Sequence, residues 1–349
     1  MSPSPSNSQS PDADTSHRMY RMYQALQRDA NISSDEDFQC QVLDASGTQF
    51  IVCHLGKCLL LDEGNGSYSG YFLSKQQLPM ALAPNSSSQE EHTLVYLGNS
   101  VNSTTYVAVE TSRPEQWLGL HESAAFVSLG VGSEGMEEAE AVALLAQALG
   151  FCTWHSRTRH CVKCGAKLES TRLGHARLCV DTACAVTSWP RIEPAAIMRI
   201  TSACGGFTLL GRKKSWPAWR YSCLAGFAEI GETMEQCVLR ETLEESGVQL
   251  DSDTVRYRLS QPWPFPSSLM VCYSATATAT ADGELPAVVV QEEEMEDVRW
   301  FSLQAVQQAI LDTADADVAS RAEPLKLPGR ASSARFLIQQ WVAEKQCVE

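Results

Sequence analysis

Short apolar runs broken by turn-forming residues make up the first part of the chain. The runs at residues 49–53, 94–97 and 105–109 are rich in aromatic and β-branched residues, and clusters of Gly, Asn and Ser separate them. This pattern is typical of β-strands joined by turns. We therefore predict a β-rich N-terminal domain over residues 36–136. Residues 1–35 are rich in Ser, Pro and Asp and are predicted to form a disordered tail.

The spacing of apolar residues changes after residue 136. Residues 137–154 are rich in Ala, Leu and Glu and predict a helix. This helix leads into a cysteine-rich segment, so residues 137–190 are predicted to form a linker helix and a small metal-binding unit. From residue 191 to residue 349 strand and helix patterns are mixed. Strands are predicted at 196–200, 207–210, 269–275 and 298–301, and helices at 233–246 and 333–345. This mixture indicates an α+β or α/β fold.

Length and charge narrow the class of protein. A chain of 349 residues is too long for one ordinary core. Its net charge of −15 argues against a broad nucleic-acid surface, which needs clustered Lys and Arg. No run approaches the ~20 apolar residues that span a bilayer, and residues 1–15 lack the apolar segment of a secretory signal.

The cysteines indicate a reducing compartment. Their number, 13, is odd, and most are scattered rather than framed in pairs. We expect an intracellular and most naturally cytoplasmic protein. The peroxisome or another organelle stays open, although the chain ends without a Ser-Lys-Leu type of signal. Seven cysteines in apolar runs are predicted to be small buried hydrophobes: Cys40, Cys53, Cys58, Cys204, Cys223, Cys237 and Cys272.

Four further cysteines form two close pairs. Cys161 and Cys164 are separated by two residues, Cys179 and Cys184 by four, and fourteen residues lie between the pairs. Two such knuckles supply the four soft ligands of a tetrahedral zinc site, and Gly165 permits the turn after the second ligand. Chance spacing is the alternative, and His160 or His175 could replace a cysteine. A zinc ion with four protein ligands has no open position, so we expect it to hold the fold.

A helix rich in glutamate carries the most informative residues. Thr233 and Gln236 have the spacing of a capping box, and Gly247 suits the end of the helix. Glu241, Glu244 and Glu245 lie on adjacent turns and repel one another unless something compensates. A solvated acidic face is the plain interpretation. The segment from Gly226 to Val248, however, closely resembles the Nudix box, G-x5-E-x7-R-E-U-x-E-E-x-G-U, and only Thr242 departs from it.

Resemblance to the Nudix family implies a divalent-metal site that cleaves a pyrophosphate. Clustered carboxylates suit Mg²⁺ or Mn²⁺. Glu241 and Glu245 would bind the metal, Glu245 or Glu244 would act on the attacking water, and Glu232 and Arg240 would orient them. The resemblance adds the carbonyl of Ala225 and a glutamate six residues before Trp300. That glutamate is Glu294, with Glu292, Glu293 and Glu296 as rivals.

A proline-rich loop follows the glutamate helix. Ser260 to Ser268 read Ser-Gln-Pro-Trp-Pro-Phe-Pro-Ser-Ser, and three prolines there stiffen a loop that holds Trp263 and Phe265. Such a loop could bind a planar ring or could be a packed turn. It resembles the S-Q-P-W-P-F-P-x-S signature of the NADH pyrophosphatase (NADH diphosphatase) family of Nudix hydrolases. A zinc ribbon directly before the Nudix domain is the second hallmark of that family.

This second resemblance implies a fold and a set of binding residues. The fold is a Nudix α/β/α sandwich preceded by a zinc ribbon and a β-rich N-terminal domain. Trp189 stands where the family commonly has Tyr and would stack on the nicotinamide, with Phe227 on the other side of the ring. The remaining pocket would be lined by Gln261, Pro262, Trp263, Pro264, Phe265, Pro266, Ser267, Ser268 and the backbone around Ala334. The family also implies a homodimer.

The resemblance favours hydrolysis of NADH and NAD to nicotinamide mononucleotide and AMP. Removal of NAD caps from RNA is a second activity, which the acidic net charge ranks lower. Two alternatives stay open. One is a Nudix hydrolase for ADP-ribose or dinucleoside polyphosphates. The other is a catalytically dead scaffold or a zinc-ribbon nucleic-acid module, although a binding module has no need of Glu241, Glu244 and Glu245.

Overall fold

The structure is a computed structural model that describes residues 26–27, 41–43, 47–78, 92–132, 136, 139–312, 318–330 and 332–346. The tail predicted over residues 1–35 lies outside the described residues, except for residues 26–27. The chain divides into two compact units. The first comprises residues 1–191 with 264–267, and the second comprises residues 192–263 with 268–349. The boundaries predicted at residues 35 and 136 stay predictions.

The first unit contains a seven-stranded sheet, one long helix and a small three-stranded sheet. The large sheet has the order β3-β2-β1-β6-β5, with β4 beside β1 and β7 beside β2. The small sheet has the order β10-β9-β8. The elements are β1 Thr48–His54, β2 Lys57–Gly64, β3 Ser67–Gly70, β4 Leu73–Ser74, β5 His92–Asn99, β6 Thr105–Thr111, α1 Glu115–Leu118, β7 Ala124–Val127, α2 Leu129–Gly132, α3 Ala139–Arg157, β8 Leu168–Thr171, β9 Ala176–Cys179 and β10 Thr187–Ser188.

Both faces of the large sheet are buried. Successive side chains of a strand point to opposite faces. Phe50 and Val52 of β1 accordingly join one apolar cluster, around Trp117. Ile51 and Cys53 join the cluster on the other face, together with Leu145, Leu149 and Cys152 of α3. Helix α3 therefore covers one face of the sheet along its apolar side, and the predicted β-rich character of this region is confirmed.

The second unit contains a six-stranded mixed sheet. Its order is β14-β15-β11-β12-β16, with β13 beside β11, and the central strands β11 and β15 are parallel. The elements are β11 Glu193–Thr201, β12 Phe207–Arg212, β13 Leu224–Phe227, α4 Met234–Ser246, β14 Leu250–Trp263, β15 Ser268–Ala277, β16 Asp297–Ser302, α5 Leu303–Leu311 and α6 Ser333–Gln346.

Helices cover both faces of this sheet. Met198 and Ile200 of β11 pack in a cluster with Val238 of α4. Ile197, between them in the pleat, packs on the opposite face with Leu337 and Trp341 of α6. This is the predicted α/β/α sandwich. The polar strand β14 and the helix α5 are additions that the sequence patterns did not predict. None of the described helices combines the length and apolarity needed to cross a membrane.

The scattered cysteines behave as predicted with one exception. Cys53, Cys58, Cys223, Cys237 and Cys272 are buried. Cys204 is exposed, so the prediction that it is a buried hydrophobe is wrong. It lies in the turn between β11 and β12, directly before Gly205 at a φ of 71°, where the chain leaves the core. Cys40 lies outside the described residues.

Candidate active site and metal centres

Helix α4 holds the acidic cluster and is fixed at both ends. The side chain of Thr233 accepts from the backbone N–H of Gln236 at 3.2 Å, and the Gln236 side chain accepts from the backbone N–H of Thr233 at 2.9 Å. Gly247 closes the helix in the left-handed conformation, with a φ of 69°, and donates to the carbonyl of Leu243 at 2.8 Å. The predicted capping box and C-terminal glycine are therefore confirmed.

Arg240 lies at the centre of the cluster and donates to three carboxylates. Its Nε and Nη2 bind the two oxygens of Glu232 at 2.8 and 2.9 Å. Its Nη1 binds Glu241 at 2.9 Å and Glu244 at 2.8 Å. Its Nη2 also donates to the carbonyl of Phe227 at 2.9 Å. The guanidinium thus ties α4 to the loop before it and fixes the rotamers of the acids.

Electrostatics reinforce this arrangement. The hydrogen bonds from Arg240 lower the pKa of Glu232 to about 2, and the backbone N–H of Glu229 adds a further donor. Bonds to the carboxylates in turn raise the pKa of the Arg240 guanidinium. Glu232 is therefore ionised throughout the neutral range. Its role in the structure is to hold Arg240, which matches the orienting role that was predicted.

Glu241 lies against a glycine. A Cβ at Gly226 would lie 1.9 Å from Cδ of Glu241, so a side chain at this position would force the Glu241 carboxylate to move. The first glycine of the motif therefore makes room for the carboxylate. Glu241 is 8% exposed, and burial is the main cause of its raised pKa, partly offset by the hydrogen bond from Arg240.

Glu245 is the most deeply buried acid of the group. It is 1% exposed, and its Oε2 has no hydrogen-bond partner among the described residues. Its pKa is raised to about 8, mainly by burial, and the charges of Glu241 and Glu294 contribute to this rise. The charge of Lys213 and a hydrogen bond to the backbone of Ala225 act in the opposite direction. The carboxylate is thus placed where its negative charge lacks compensation.

The acidic segment before β16 contributes one residue to this environment. The charge of Glu294 raises the pKa of both Glu241 and Glu245. Glu296 instead forms an ion pair with Arg212, and the Glu292 carbonyl accepts from Lys214 at 3.0 Å. Among the rivals, Glu294 therefore has the closest electrostatic coupling to the buried pair.

Glu241 and Glu245 are buried and have raised pKa values, and Oε2 of Glu245 has no hydrogen-bond partner among the described residues. Such a group of carboxylates has the electrostatic character of a cation site. Carboxylate oxygens are the ligands that Mg²⁺ and Mn²⁺ prefer. A divalent cation among Glu241, Glu245 and Glu294 would supply the missing positive charge and the missing partner for Oε2 of Glu245. The chemistry of these residues therefore suits such an ion, while their carboxylate oxygens are not all within 4.8 Å of one another in this structure. The Glu244 side chain is half exposed, so it can reach water.

Thr242 occupies the position at which the motif has a bulkier aliphatic residue. Its side chain is fully buried, and its hydroxyl donates to the carbonyl of Val238, one turn back, at 2.7 Å. Ser246 repeats this bond to the Thr242 carbonyl at 2.5 Å. Both hydroxyls are hydrogen-bonded within the helix. Thr242 in place of an aliphatic residue therefore leaves neither hydroxyl without a partner.

The proline-rich loop is divided between the two units. Gln261 is 2% exposed, and its Oε1 accepts from the backbone N–H of Ser333, at the start of α6, at 2.8 Å. Its side chain therefore joins β14 to α6, close to the buried Ala334.

Residues 264–267 of the proline-rich loop belong to the first unit, where Phe265 packs on the cluster beneath α3. A Cβ at Gly150 of α3 would lie 3.4 Å from Cβ of Pro264. Pro262 is exposed, and Ser268 is buried.

Three of the predicted ring-binding aromatics present open faces. In the second unit Phe227 is 56% exposed and Trp263 36% exposed. In the first unit Trp189 is 49% exposed, and the guanidinium of Arg172 lies 5.2 Å from its ring centroid. Their partial exposure leaves these rings accessible to a planar ligand.

The four predicted zinc ligands converge in the first unit. Of all the described His, Cys, Asp and Glu residues, only Cys161, Cys164, Cys179 and Cys184 form a group of three or more whose ligand atoms lie within 4.8 Å of one another. The Sγ atoms of Cys161 and Cys184 are 3.8 Å apart and those of Cys164 and Cys179 are 3.4 Å apart. Zn–S bonds of ~2.3 Å in a tetrahedron place sulfurs about 3.8 Å apart.

Local backbone geometry prepares this cluster for a metal. Gly165 has a φ of 78° and donates to the carbonyl of Cys161 at 2.8 Å, which closes the knuckle. Backbone N–H groups of Cys164 and Lys163 lower the pKa of Cys161 to about 7 and favour its thiolate, whereas burial raises the pKa of Cys179 to about 12 and also raises that of Cys184. Cys179 and Cys184 are separated by four residues, and a turn accommodates this wide spacing. In that turn the backbone N–H groups of Cys184 and Ala185 both donate to the carbonyl of Asp181.

One residue of this site was missed from the sequence. Lys213 follows β12, and its charge lowers the pKa of Glu245. The run Arg212-Lys213-Lys214 is the signal that could have found it, because three cations directly after a buried strand are a plausible contact for phosphate groups.

Comparison with known proteins supports the family. The NUDIX domain model matches residues 191–322. The human NAD-capped RNA hydrolase NUDT12 is 33% identical over 242 residues, which are 68% of this chain and 49% of that protein. The mouse NAD(P)H pyrophosphatase NUDT13, mitochondrial, is 29% identical over 309 residues, 88% of this chain and 82% of that protein. The NAD-capped RNA hydrolase NudC of Stutzerimonas stutzeri is 38% identical over 202 residues, 58% and 62% respectively.

The chain spans about half the length of the NUDT12 relatives that it matches. The motif on α4, the sandwich that carries it and these relatives agree with one another. The chain is a Nudix protein, and within the Nudix family it belongs to the NADH pyrophosphatase family, as its two signatures predicted.

Proposed function

We propose that this protein hydrolyses the pyrophosphate of NADH or NAD and releases nicotinamide mononucleotide, reduced or oxidised, and AMP. The observation that carries the proposal is the Arg240 cluster. Arg240 fixes Glu241, and one turn further along the helix Glu245 is buried and poorly compensated, as a cation site requires. The relatives named NAD(P)H pyrophosphatase and NAD-capped RNA hydrolase support this choice of substrate.

Glu241, Glu245 and Glu294 would hold Mg²⁺ or Mn²⁺, and the carbonyl of Ala225 is the fourth protein ligand that we propose. When bound, the cation would neutralise phosphate charge and make water a better nucleophile. Arg240 and Glu232 keep Glu241 and Glu244 in place, so that the acids need not reorganise during the reaction. Lys213 is the side chain that we assign to the phosphate oxygens of the substrate.

The chemistry requires one proton acceptor. The oxygen of a water molecule attacks one phosphorus atom, the bond from that phosphorus to the bridging oxygen breaks, and the leaving phosphate keeps the electron pair. Glu245 or Glu244 takes the proton of the water. Glu244 is half exposed and bonded to Arg240, so its carboxylate is held in place and is accessible to water.

Aromatic side chains would select the ring of the substrate. Phe227 and Trp189 are the pair that we propose for the nicotinamide, and residues 261–268 with the backbone around Ala334 complete the pocket. Phe265 and Gln261 would act as supports, because one packs on the first unit and the other binds the start of α6.

Zinc in the four-cysteine cluster is the second metal that we propose, with a structural role. Its four thiols need a reducing compartment, which supports the intracellular location we expect. A homodimer is part of the same proposal and follows from the family resemblance alone.

Removal of NAD caps from RNA is a second candidate activity. It rests on the names of NUDT12 and NudC, two of the relatives described above. Its chemistry is the same cleavage of a pyrophosphate, so it needs no additional catalytic group. It does need room for a polynucleotide, which the net charge of −15 makes less favourable.

A product analysis tests the proposal. Purified chain with Mg²⁺ or Mn²⁺ is incubated separately with NADH, NAD, ADP-ribose and NAD-capped RNA, and the products are separated by chromatography. We expect equimolar nicotinamide mononucleotide and AMP, with a higher kcat/KM for NADH than for ADP-ribose. Release of free nicotinamide, or faster cleavage of ADP-ribose, would overturn the proposal.

A further inference from the structure

Glu294, one of the residues proposed to bind the cation, lies just outside the sheet of the second unit. Strand β12 ends at Arg212, whose register partner is Asp297, the first residue of β16. Glu294 comes three residues before Asp297, in the segment 291–296. The pairing of β12 with β16 therefore ends before it reaches Glu294, so other contacts must hold this segment in place.

Met295 anchors the segment 291–296 in the core. It is 2% exposed and packs in a cluster with Leu224 and Val298. A Cβ at Gly211 would lie 2.3 Å from Cε of Met295, so a side chain at Gly211 would force Met295 to shift. Met295 therefore fixes the backbone next to Glu294 against the end of β12.

The side chain of Arg212 joins this segment to the loop that follows β12. Its Nη1 forms an ion pair with Glu296, and its Nη2 donates to the carbonyls of Trp216 at 3.1 Å and Pro217 at 3.4 Å. The side chain of Arg212 is 13% exposed, so this ion pair is better shielded from water than a pair between two exposed side chains. One guanidinium therefore binds both the segment before β16 and the loop after β12.

Two further hydrogen bonds connect the same loop and segment. The backbone N–H of Glu296 donates to the carbonyl of Arg212 at 2.9 Å, and Nζ of Lys214 donates to the carbonyl of Glu292 at 3.0 Å. These contacts lie before and after Glu294 along the chain. Together with the ion pair they restrict the positions that the backbone of Glu294 can take.

Asp297, the register partner of Arg212, has other partners. Its Oδ2 accepts from the hydroxyl of Tyr221 at 2.6 Å and from Nε of Arg299 at 2.5 Å. The Arg299 guanidinium also lies 5.3 Å from the centroid of the Tyr221 ring. Glu296, which lies outside the strand, is therefore the carboxylate that binds Arg212.

We propose that Arg212 is a positioning residue that holds Glu294 at the cation site. The inference rests on the proposed function, in which Glu294 and Glu245 bind the cation. The bonds from Nη2 to two loop carbonyls fix the guanidinium, and the ion pair with Glu296 in turn fixes the backbone of the segment that carries Glu294. An arginine suits this role because its planar fork binds one carboxylate and two carbonyls at the same time, whereas the ammonium of a lysine is a single compact charge.

Mn²⁺ binding by the full, zinc-loaded chain without substrate, measured by electron paramagnetic resonance, tests this role. The test variant is Arg212→Gln. The matched control is Arg258→Gln, which removes the same charge from an arginine that pairs with Glu344; it belongs to β14, at the opposite edge of the sheet from β16. Loss of a positive charge near the site would by itself strengthen cation binding, whereas loss of the support for Glu294 weakens it. The sign of the change therefore distinguishes the two effects.

We expect Arg212→Gln to bind Mn²⁺ roughly 5-fold more weakly than the wild type, less than the ~10-fold that loss of a direct partner of a metal ligand costs, because Arg212 acts through the backbone. Arg258→Gln should stay within about twofold of the wild type, because charges far apart are screened. Arg212→Gln combined with Glu294→Ala should bind as weakly as Glu294→Ala alone, because Arg212 has no effect once the carboxylate that it positions is gone. A melting curve checks that each variant is folded, and Arg212→Lys, with a smaller loss expected, replaces the Gln variant if that protein does not fold.

Mn²⁺ binding by the wild type together with equal or tighter binding by the Arg212 variant would overturn this inference and leave the proposed function standing. An additive loss in the double variant would overturn it as well, because Arg212 would then act independently of Glu294. Failure of the wild type to bind Mn²⁺ would overturn the proposed function and this inference together.

Discussion

Two arginines define two regions of opposite character. Arg240, in the second unit, donates to Glu232, Glu241 and Glu244. Arg177, in the first unit, donates to a carbonyl and to a neutral imidazole. Each makes several hydrogen bonds, but only Arg240 is surrounded by negative charge.

The orphaned atoms show what the difference means. Near Arg240 the buried side-chain atom without a hydrogen-bond partner among the described residues is Oε2 of Glu245, whereas in the other region such atoms include Nε of Arg177 and Oε2 of Glu110. An arginine that is outnumbered by acids orders them for a cation. Arg177 instead joins the Leu168 carbonyl to the His155 imidazole, so it serves to hold neighbouring segments together.

The largest effect that separates the two regions should come from loss of the proposed zinc. Cys164→Ser removes one exposed ligand, and the remaining three cannot hold the ion tightly. We expect hydrogen exchange to show lost protection in residues 160–187, which include β9 with Arg177, while residues 234–246 stay protected. Cys204→Ser is the control, because Cys204 is exposed and outside the cluster. Unchanged protection and unchanged zinc content in the Cys164 variant would refute the structural site.

The next effect concerns turnover in the Arg240 region. Glu245→Gln keeps the shape of the side chain and removes its charge, so we expect NADH hydrolysis to fall by at least ~10²-fold. Glu235→Gln, an exposed change on the same helix, should stay near the wild-type rate. Near-normal turnover in the Glu245 variant would remove that residue from catalysis.

Lowering the pH should reduce the stability of the region around His155 and of the region around Glu232 over different pH ranges. The pKa of His155 is lowered from 6.5 to about 4, so the unfolded chain takes up this proton first as the pH falls. Its contribution, on the order of 3 kcal/mol, is present above pH 6.5 and is lost as the pH falls towards 4. Glu232, lowered from 4.5 to about 2, keeps its contribution down to pH 4.5 and loses it only below.

Hydrogen exchange at pH 7 and pH 5 measures this contrast. We expect residues 153–157 and 174–179 to lose protection at pH 5, once the exchange rates are corrected for pH, while residues 232–246 keep theirs. His155→Gln, which cannot titrate, should abolish the change in the first region. Equal loss in both regions would contradict the assignment of a neutral His155.

The smallest effect should follow Thr242→Val. The hydroxyl bond to Val238 is lost, but the new methyl group is apolar and close to the same size, so the free energy of unfolding should change by less than ~1 kcal/mol. Turnover should be unchanged, because the Thr242 hydroxyl is bonded to the Val238 carbonyl and not to the acids around Arg240. A chemical unfolding curve and a rate measurement are sufficient to check both points. A loss of activity would show that the departure from the motif matters for the site.

Local signals allowed much of the second unit to be predicted. Thr233, Gln236 and Gly247 act within one helix, and their roles depend on neighbours three or four residues away. The polar strand β14 was missed because residues 250–258 lack a continuous apolar face and lie at the edge of the sheet. Helix α5 was missed although Ser302 caps it, because nine residues leave little periodicity to detect.

The long-range contacts could not be predicted. The Gln261 side chain accepts a hydrogen bond from the backbone N–H of Ser333, 72 residues away, and no local spacing in the sequence indicates this bond. A pocket around Arg177 joins residues from β6, α3 and β9, and no spacing in the sequence indicates that Glu110 and Arg177 line the same space. Such features depend on how elements pack, which single-sequence patterns do not encode.

Binding of Mn²⁺ to the Arg240 region is the most direct test of the central claim, and it does not depend on turnover. Electron paramagnetic resonance of free Mn²⁺ gives the affinity of the wild type, of Glu245→Gln and of the Glu235→Gln control. We predict that the wild type and the control bind Mn²⁺ equally and that Glu245→Gln binds it at least ~10-fold more weakly, because a buried anionic ligand is lost. Equal Mn²⁺ binding by all three proteins, or none by the wild type, would contradict the account.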